Sequence, residues 1–477
     1  MTSLKQLNPV DLLFVAGENA RIYHHTAGLV ILDTSEAPRF DFEHFRDRVI
    51  RRLQQVPHFR WKLHEVPFGL DRPYWVEDNN FSWDKHFKRI AVPAPGDRAA
   101  LAEVAGHIYS RHLDRSKPLW EMWYIEGLAD GKVAIIQKTH HCMMDGQGMQ
   151  KLGELLSDFS PRGRARAVSP EIRNARPGAT PEPRQVSANT ALHWAQLPLS
   201  LARNLAGSIG PELGKRLSRK KCDQQTKPAV PRLFFNDEIS ADRGVDYGTL
   251  GLADIKKVKA AFDVTVNDVV LALVSATLRS YLQRFDELPG ESLRGSIAVS
   301  LRATGDDEFS NKVTNTSVTL ATNLADPLER LRLISQDAES AKDKARHGGV
   351  GIVEIMQSLP PLVLHSMVNS VGPEQAIGMM GGNLVISNVR GSPRPMYIAG
   401  ARMECMYPIS ILTTGMGINI TCISYCDSVD FGFSLAPELF DQPWELVEGL
   451  ETALREYLAL IPDSRSKTRG KRGSARR

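Results

Sequence analysis

Residues 133–146 read VAIIQKTHHCMMDG, a run of strand-type residues that ends in two histidines, an aspartate and a glycine. Side chains alternate along a strand, so His140 and His141 should point to opposite sides, and only one of them can face a given cavity. Gly146 suits a tight turn because glycine tolerates positive φ. The pattern therefore predicts a strand, a turn and then a helix opening near Gly148, with one histidine presented where the strand ends.

A histidine in this position could act as a general base. Transfer of an acyl group from a thioester to an alcohol needs a base for the hydroxyl proton. Imidazole titrates near neutrality, so it can take that proton and return it to the departing thiolate. No covalent intermediate is required, because the thioester is already activated. Asp145 could fix the turn or orient the imidazole without relaying protons. Two other interpretations stay open: a metal-binding pair, although no third strong ligand is apparent, and a pair of satisfied core histidines.

The pair His24-His25 is an internal comparison for this motif. It is followed by Thr-Ala-Gly and has no Asp-Gly four residues on. We interpret this pair as structural.

The length of 477 residues exceeds the size at which a single hydrophobic core stops growing, so two domains are expected. Strands and helices alternate in both halves, which predicts an α/β fold of two sandwich domains. The predicted division is an N-terminal domain at 1–160, a basic linker at 161–230 that could carry an amphipathic helix, a C-terminal domain at 231–462 and a basic, disordered tail at 463–477. Helices are predicted at 42–53, 99–113, 266–282 and 444–460, and strands at 28–32, 123–125, 133–141, 296–301, 317–321, 383–387 and 417–424.

The net charge of +4 is unevenly distributed. Residues 161–230 carry 13 Lys and Arg against 4 Asp and Glu, and residues 464–477 carry 7 Lys and Arg and no acid, which leaves a net charge of −12 on the rest of the chain. An acidic body with basic appendages is not typical of a nucleic-acid-binding domain. It fits contact between the basic segments and anionic lipid headgroups, and solvated linkers without a partner are the alternative.

Within the basic linker, apolar residues recur at helical spacing and are interrupted at Pro198. The segment could lie at a membrane interface or pack on the protein. The residues of this stripe are Leu192, Trp194, Leu197, Leu201, Leu205 and Ile209.

Five cysteines form no disulfide or ligand framework, which predicts free thiols, a reducing compartment and no metal site. The N-terminal residues lack the apolar core of a signal peptide, and nowhere do 18 apolar residues run together. We expect a cytoplasmic protein that is peripheral on the inner membrane face or on lipid inclusions.

The residues 140–146 fit His-His-x-x-x-Asp-Gly and resemble the motif of the chloramphenicol-acetyltransferase-like superfamily. Further segments, in order, resemble the bacterial wax ester synthase/acyl-CoA:diacylglycerol acyltransferase family. These segments are LNPVD at 7–11, RPYWV at 72–76, LDRSKPLWE at 113–121, TVNDVVLA at 265–272, VSLR at 299–302, SNV at 387–389 and SY at 424–425.

The resemblance implies two chloramphenicol-acetyltransferase-like domains that form a pseudo-dimer with a tunnel between them. It implies an O-acyltransferase that uses long-chain acyl-CoA as co-substrate, without a cofactor, to esterify diacylglycerol to triacylglycerol, long-chain alcohols to wax esters, or both. A membrane or lipid-droplet surface is the expected partner. The alternatives are an acyltransferase with a non-lipid hydroxyl or amine acceptor, and a catalytically silent lipid-binding protein.

The same resemblance assigns roles to individual residues. His141 matches the general base of the family, and His140, Asp145 and Gly146 match positions that shape the site. Asn267 and Asp268 match a second motif that supports it. From the residues alone, these last two could equally form a helix cap, with Asn267 accepting a first-turn amide and Asp268 lying near the positive helix end.

Overall fold

The computed structural model describes residues 4–144, 146–163, 169–218, 230–300, 313–347, 356 and 358–462. Asp145, residues 219–229 of the basic linker and the tail at 463–477 lie outside these ranges. What the sequence predicts for Asp145 and for the tail therefore stays a prediction.

The first half of the chain alternates short helices and strands. Its helices and strands are α1 (Pro9–Ala16), β1 (His25–Asp33), α2 (Phe42–Leu53), β2 (Trp61–His64), β3 (Tyr74–Glu77), β4 (Phe87–Ala91), α3 (Arg98–Tyr109), β5 (Trp120–Glu126), β6 (Val133–His140), α4 (Gly146–Leu156), α5 (Pro170–Arg173) and α6 (Pro183–Ser218).

The second half has longer helices. Its elements are β7 (Gly244–Gly251), α7 (Leu252–Phe262), α8 (Val266–Arg284), β8 (Arg294–Ser300), β9 (Val313–Thr319), α9 (Pro327–His347), α10 (Pro361–Asn369), α11 (Pro373–Met380), β10 (Leu384–Arg390), β11 (Tyr397–Ile398), β12 (Ala401–Ile409), β13 (Ile418–Tyr425), β14 (Ser428–Leu435) and α12 (Trp444–Ala459).

Two six-stranded sheets organise these elements. Sheet A has the strand order β11-β12-β1-β6-β5-β4, and sheet B has the order β7-β14-β13-β10-β8-β9. Sheet A therefore takes two strands, β11 and β12, from the C-terminal half of the chain. Both halves combine helices with mixed sheets, which confirms the predicted α/β class.

Strand β6 has the predicted alternation. Val133 and Ile135 pack into the core that contains α2 and α4, whereas Ala134 and Ile136 pack into a second core with α3. A strand with apolar residues on both faces is stable only when both faces are covered, and here each face has its own core. This burial fixes the register of β6 and hence the point after His140 at which the chain leaves the sheet.

The two sheets approach each other closely where β12 meets β14. A Cβ at Gly432 of β14 would overlap the carbonyl oxygen of Pro408 in β12. Beside this point, the backbone N–H of Met406 donates to Asp430 Oδ2 at 3.0 Å. Glycine is needed here because the neighbouring backbone occupies the space of a side chain.

Helix α6 runs without a break from residue 183 to 218, so the predicted interruption at Pro198 is not seen. Its N-terminal half is docked on the protein, since Trp194 Nε1 donates to the Leu70 carbonyl at 2.9 Å and His193 Nδ1 lies 2.7 Å from Asp71 Oδ2. Within the described ranges, no single helix has the length and apolar composition to cross a membrane, although the bent pair α7 and α8 passes that test jointly.

Candidate active site

The chain around the first helix prepares one side of the site. Asn8 caps α1 by accepting the Val10 N–H, and Pro9 occupies the first turn. Proline is suited to this position because its fixed φ matches the helix and its missing N–H is not needed there. Helix α1 ends at Ala16, and the N–H of its C-cap residue, Gly17, donates to the Leu13 carbonyl. The short helix places Phe14 and the following Glu18 beside the end of β6.

His141 lies one residue beyond β6. Its backbone N–H donates to the His24 carbonyl at 2.7 Å. Its half-buried ring stacks on Phe14, with ring centroids 4.1 Å apart and an angle of 17° between the planes. The stacking holds the imidazole in one orientation while part of the residue stays accessible, which is the environment that a proton acceptor for an entering substrate requires.

His140 is in a different environment, with 2% of its surface exposed. Its Nδ1 accepts the Cys142 N–H at 3.1 Å, and its Nε2 lies 3.1 Å from Glu18 Oε1. Because Nδ1 is the acceptor, Nε2 carries the proton and donates a hydrogen bond to the Glu18 carboxylate. Both ring nitrogens are thus engaged within the protein, and His140 supports the turn instead of facing a substrate.

Glu18 is the carboxylate that organises this turn. Its Oε1 also accepts the His24 N–H at 3.0 Å, and Arg115 Nη1 lies 3.7 Å from its Oε2. Burial alone would raise the pKa of Glu18, but the hydrogen bonds from the His140 ring and from the His24 N–H outweigh it and lower the pKa to about 2. Glu18 therefore stays ionised at neutral pH.

Sequence reasoning missed Glu18. A signal was present, since Glu18 is the only acidic residue between Asp11 and Asp33. A lone acid in such a segment does not show which histidine it will meet, because the contact depends on how α1 packs against β6.

The pair His24-His25 has a structural role, as expected. His24 Nδ1 lies 2.7 Å from the Phe14 carbonyl, and His25 Nε2 lies 2.8 Å from the Tyr109 carbonyl. Burial lowers the pKa of His24 to about 4 and that of His25 well below its usual value. His24 nevertheless borders the site, since its backbone holds His141.

Gly146 begins helix α4, two residues earlier than the predicted helix start near Gly148. Asp145, the motif residue between the histidine pair and α4, lies outside the described ranges.

Asn267 and Asp268 lie in the first turn of α8, and the cap differs from the one predicted. The N-cap is Thr265, whose Oγ1 accepts the Asp268 N–H at 3.2 Å, while Asp268 Oδ2 accepts the Thr265 N–H at 2.9 Å. The expectation that Asn267 accepts a first-turn amide is wrong, because Asn267 is the second helical residue and Thr265 is better placed to accept. Asp268 also accepts a hydrogen bond from Ser335 at 3.0 Å.

Asn267 instead links α8 to β10. Its Oδ1 accepts from Asn388 Nδ2 at 3.4 Å. Asn388 belongs to the SNV segment at 387–389, so the structure brings together two separate segments that the sequence singled out.

An apolar cleft lies between the two sheets next to α4. Its lining includes Met396, Met403 and Met406, the last two in β12, and Ile423 of β13. Gly153 and Glu154 of α4 also line it. The cleft is small, and methionine side chains can adapt to irregular apolar shapes.

Cys142 adjoins His141, but it is not suited to be a nucleophile. Its thiol is 3% exposed, and burial raises its pKa well above the usual value. The reactive form of cysteine is the thiolate, which this environment disfavours. In the part of the chain that the structure describes, no three His, Cys, Asp or Glu side chains come together in a way that could hold a metal ion.

Comparison with known proteins identifies the family. Residues 7–270 match the wax ester synthase/diacylglycerol acyltransferase catalytic domain, and residues 309–457 match the C-terminal domain of the same family. A Mycobacterium tuberculosis protein named as a diacylglycerol O-acyltransferase is 30% identical over 465 residues, which cover 97% of this chain and 91% of the relative. A second relative from that organism, also named as a diacylglycerol O-acyltransferase, is 30% identical over 482 residues and covers 99% of both chains.

Solved structures agree with this assignment. The wax ester synthase/diacylglycerol acyltransferase of Marinobacter aquaeolei superimposes with a TM-score of 0.70 at 26% identity, over 95% of this chain and 98% of the other. The first condensation domain of the calcium-dependent antibiotic synthetase shares the fold, with a TM-score of 0.54 at 14% identity over 96% of each chain. These similarities confirm the predicted two-domain, chloramphenicol-acetyltransferase-like architecture. The chain therefore belongs to the wax ester synthase/diacylglycerol acyltransferase family and is an acyltransferase.

Proposed function

We propose that this acyltransferase transfers a long-chain acyl group from acyl-CoA to diacylglycerol, giving triacylglycerol, and that it also esterifies long-chain alcohols to wax esters. The observation that carries the proposal is the contrast between the two histidines. His141 is half-buried and its ring stacks on Phe14, whereas His140 has only 2% of its surface exposed. The names of the relatives support the substrate classes.

In this mechanism His141 is the general base. It accepts the hydroxyl proton of the acceptor while the acceptor oxygen attacks the thioester carbonyl, forming the new carbon–oxygen bond. The carbon–sulfur bond then breaks, and His141 returns the proton to the departing thiolate of coenzyme A. The buried Cys142 thiol disfavours an acyl-cysteine intermediate, so direct transfer is the expected route.

The apolar cleft supports a lipid substrate. It lies between sheets A and B, beside the helix that begins at Gly146, and its lining includes three methionines. Interfaces between domains are common places for a binding site of this kind. We assign its apolar lining to contact with part of a substrate hydrocarbon chain.

The function is tested by measuring free thiol released from palmitoyl-CoA with diacylglycerol, with hexadecanol and without acceptor. We expect acceptor-dependent release with both lipids and formation of the corresponding ester. Release only with a non-lipid hydroxyl or amine acceptor would favour the alternative acyltransferase. Absence of transfer together with binding of the lipids would indicate a silent lipid-binding protein.

We also propose that the protein is cytoplasmic and works peripherally at the surface of a membrane or lipid inclusion, where its lipid substrates are found. Helix α6 supports this, since Leu192 and Leu199 are 54% and 63% exposed although Trp194 of the same helix is anchored to the protein. Exposed apolar side chains on a helix beside basic segments are typical of interfacial contact. The two interpretations of this helix are thus compatible, because one part of its surface packs and another stays exposed.

A further inference from the structure

Glu18 lies where two hydrogen-bonded connections to the His141 backbone begin. Both connections start at the same carboxylate oxygen, Oε1, which accepts from the His24 N–H at 3.0 Å and lies 3.1 Å from His140 Nε2. The side chain is 9% exposed. A buried carboxylate is costly unless it is fully hydrogen-bonded, so its position is determined by these partners.

The first connection passes through the His24 residue. Glu18 holds the N–H of His24, and the carbonyl of His24 accepts the N–H of His141 at 2.7 Å. The second passes through the His140 ring. Glu18 holds Nε2, and Nδ1 of the same ring accepts the Cys142 N–H at 3.1 Å. The two amides that flank the His141 side chain are thus both tied to one carboxylate.

The tautomer of His140 follows from this arrangement. A neutral imidazole has one donor and one acceptor nitrogen. With a carboxylate at Nε2, the proton resides there and Nδ1 is free to accept from Cys142. Loss of the carboxylate would allow the proton to move to Nδ1, where it would oppose the Cys142 N–H and open the turn.

We propose that Glu18 is a positioning residue for the acyl-transfer reaction, which fixes His140 as the Nε2–H tautomer and holds the backbone on both sides of His141. This inference rests on the proposed role of His141 as general base. Glu18 itself contacts no reacting atom. Its contribution is to keep the imidazole of His141 within the narrow geometry that proton transfer requires.

Two substitutions separate the hydrogen bonds from the charge. In Glu18→Gln the amide oxygen can still accept both hydrogen bonds, although they are no longer charge-assisted. In Glu18→Ala both are lost. We expect kcat to decrease in the order wild type, Glu18→Gln, Glu18→Ala, with a loss of roughly 100-fold for alanine, and KM for acyl-CoA to change by less than about 3-fold.

Glu65 offers a matched control. Its carboxylate pairs with Arg115, the same arginine that lies near Glu18, but it is half exposed and belongs to the β2–β3 region. Glu65→Gln should keep wild-type kcat. A fall in kcat equal to that of the Glu18 variants would assign the effect to Arg115 and overturn the proposal.

The tautomer gives a readout that does not depend on activity. Protein labelled with ¹⁵N-histidine should show His140 as a single Nε2–H tautomer in the wild type and in Glu18→Gln, and a changed tautomer in Glu18→Ala, with His140 assigned by its absence in His140→Gln. Wild-type kcat in folded Glu18→Ala, or an unchanged His140 tautomer there, would overturn the proposal.

The experiment distinguishes a Glu18→Ala variant that does not fold from a failure of the proposed acyl-transfer function. If Glu18→Ala does not fold, Glu18→Gln decides, since lowered kcat at unchanged KM supports the proposal and wild-type kcat contradicts it. If the wild type transfers no acyl group, the proposed function fails, and the tautomer of His140 in the variants still decides whether Glu18 organises the turn.

Discussion

At the scale of single residues, the two adjacent histidines of the motif lie in different environments and make different contacts. His140 donates to Glu18 and accepts from Cys142, and His141 is held by Phe14 and by the His24 carbonyl. The neighbouring side chains and backbone, and not the sequence motif by itself, distinguish the two environments, and the proposed function assigns the general-base role to His141.

His141→Ala should lower kcat by on the order of 10²–10⁴ without unfolding the protein, because it removes the proposed general base. His140→Ala should lower both activity and stability, the latter by about 1–3 kcal/mol, since it deprives the buried Glu18 carboxylate of one of its hydrogen-bond donors. Steady-state kinetics and urea unfolding check both. His107→Ala, at an exposed position of α3, is the control, and wild-type turnover in folded His141→Ala would contradict the mechanism.

The buried histidine His24 predicts a pH dependence of stability. Its folded-state pKa of about 4 lies below the ordinary 6.5, so on acidification the unfolded chain binds a proton before the folded chain does. The free energy of unfolding should therefore fall as the pH falls from about 6.5 toward 4, by up to about 3 kcal/mol from this residue, and His25 acts in the same direction. Urea unfolding at pH 7, 6 and 5 checks it.

His24→Asn is the variant that assigns this dependence. It should show a shallower decrease of stability between pH 6.5 and 4 than the wild type. The Glu18 contribution to stability is lost only at lower pH, between about 4.5 and its depressed pKa of about 2, so it does not obscure the comparison. Equal slopes in both proteins would exclude His24 as the cause.

At the scale of elements, α8 illustrates how a cap directs a helix. Thr265 and Asp268 satisfy each other's backbone N–H groups, and the helix then continues as a buried element of the core in the C-terminal half of the chain. With the cap closed by these two residues, Asn267 is available to bind Asn388 of β10. The helix start and the strand β10 are connected through this contact.

Thr265→Ala should destabilise the protein by about 1 kcal/mol, because it removes the side chain that caps α8. Asn267→Ala should cost less than half of that, since its hydrogen bond to Asn388 is long. Urea unfolding midpoints of the two variants give the comparison. A larger loss for Asn267→Ala than for Thr265→Ala would mean that the asparagine is the cap after all.

At the scale of the whole molecule, the chain assembles its site from distant parts. Strands β11 and β12 return from the C-terminal half to complete sheet A, and β12 passes directly over β14 of sheet B. The apolar cleft is lined by residues of β12 in sheet A and of β13 in sheet B. The relative position of the sheets therefore determines its shape.

Gly432→Ala tests that crossing. The added methyl group would overlap the Pro408 carbonyl, so β12 and β14 must separate, and we expect a loss of about 3 kcal/mol in stability. At Gly290 an added Cβ has no neighbouring atom within 4 Å. The free energy of unfolding of Gly290→Ala should therefore stay within about 0.5 kcal/mol of the wild-type value. Thermal and urea unfolding compare the two, and equal stability would show that the sheets adjust without cost.

The charge distribution of the chain predicts which segments would contact a membrane in the proposed peripheral location. Outside residues 161–230 and 464–477 the net charge is −12, which anionic lipid repels, so binding must come from the basic segments. Each Lys or Arg near such a surface contributes up to about 1 kcal/mol at low salt. Deletion of residues 464–477 should therefore weaken binding to anionic liposomes and leave turnover on a detergent-dispersed acceptor intact.

Flotation with anionic and neutral liposomes, with and without the tail, measures this. The exposed leucines of α6 should add a component that resists salt. Equal recovery in all four combinations would identify the basic segments as ordinary solvated linkers.

The sequence by itself determined the α/β class, the family, most helices and strands, and the position of the histidine pair, because these depend on local periodicity and on a contiguous motif. Only the tertiary structure decided the partners. It placed Glu18 against His140, made Thr265 the cap of α8 in place of Asn267, and carried β12 into sheet A. These contacts join residues far apart in the chain or choose among neighbouring side chains of equal propensity, so their outcome depends on packing that local patterns do not contain.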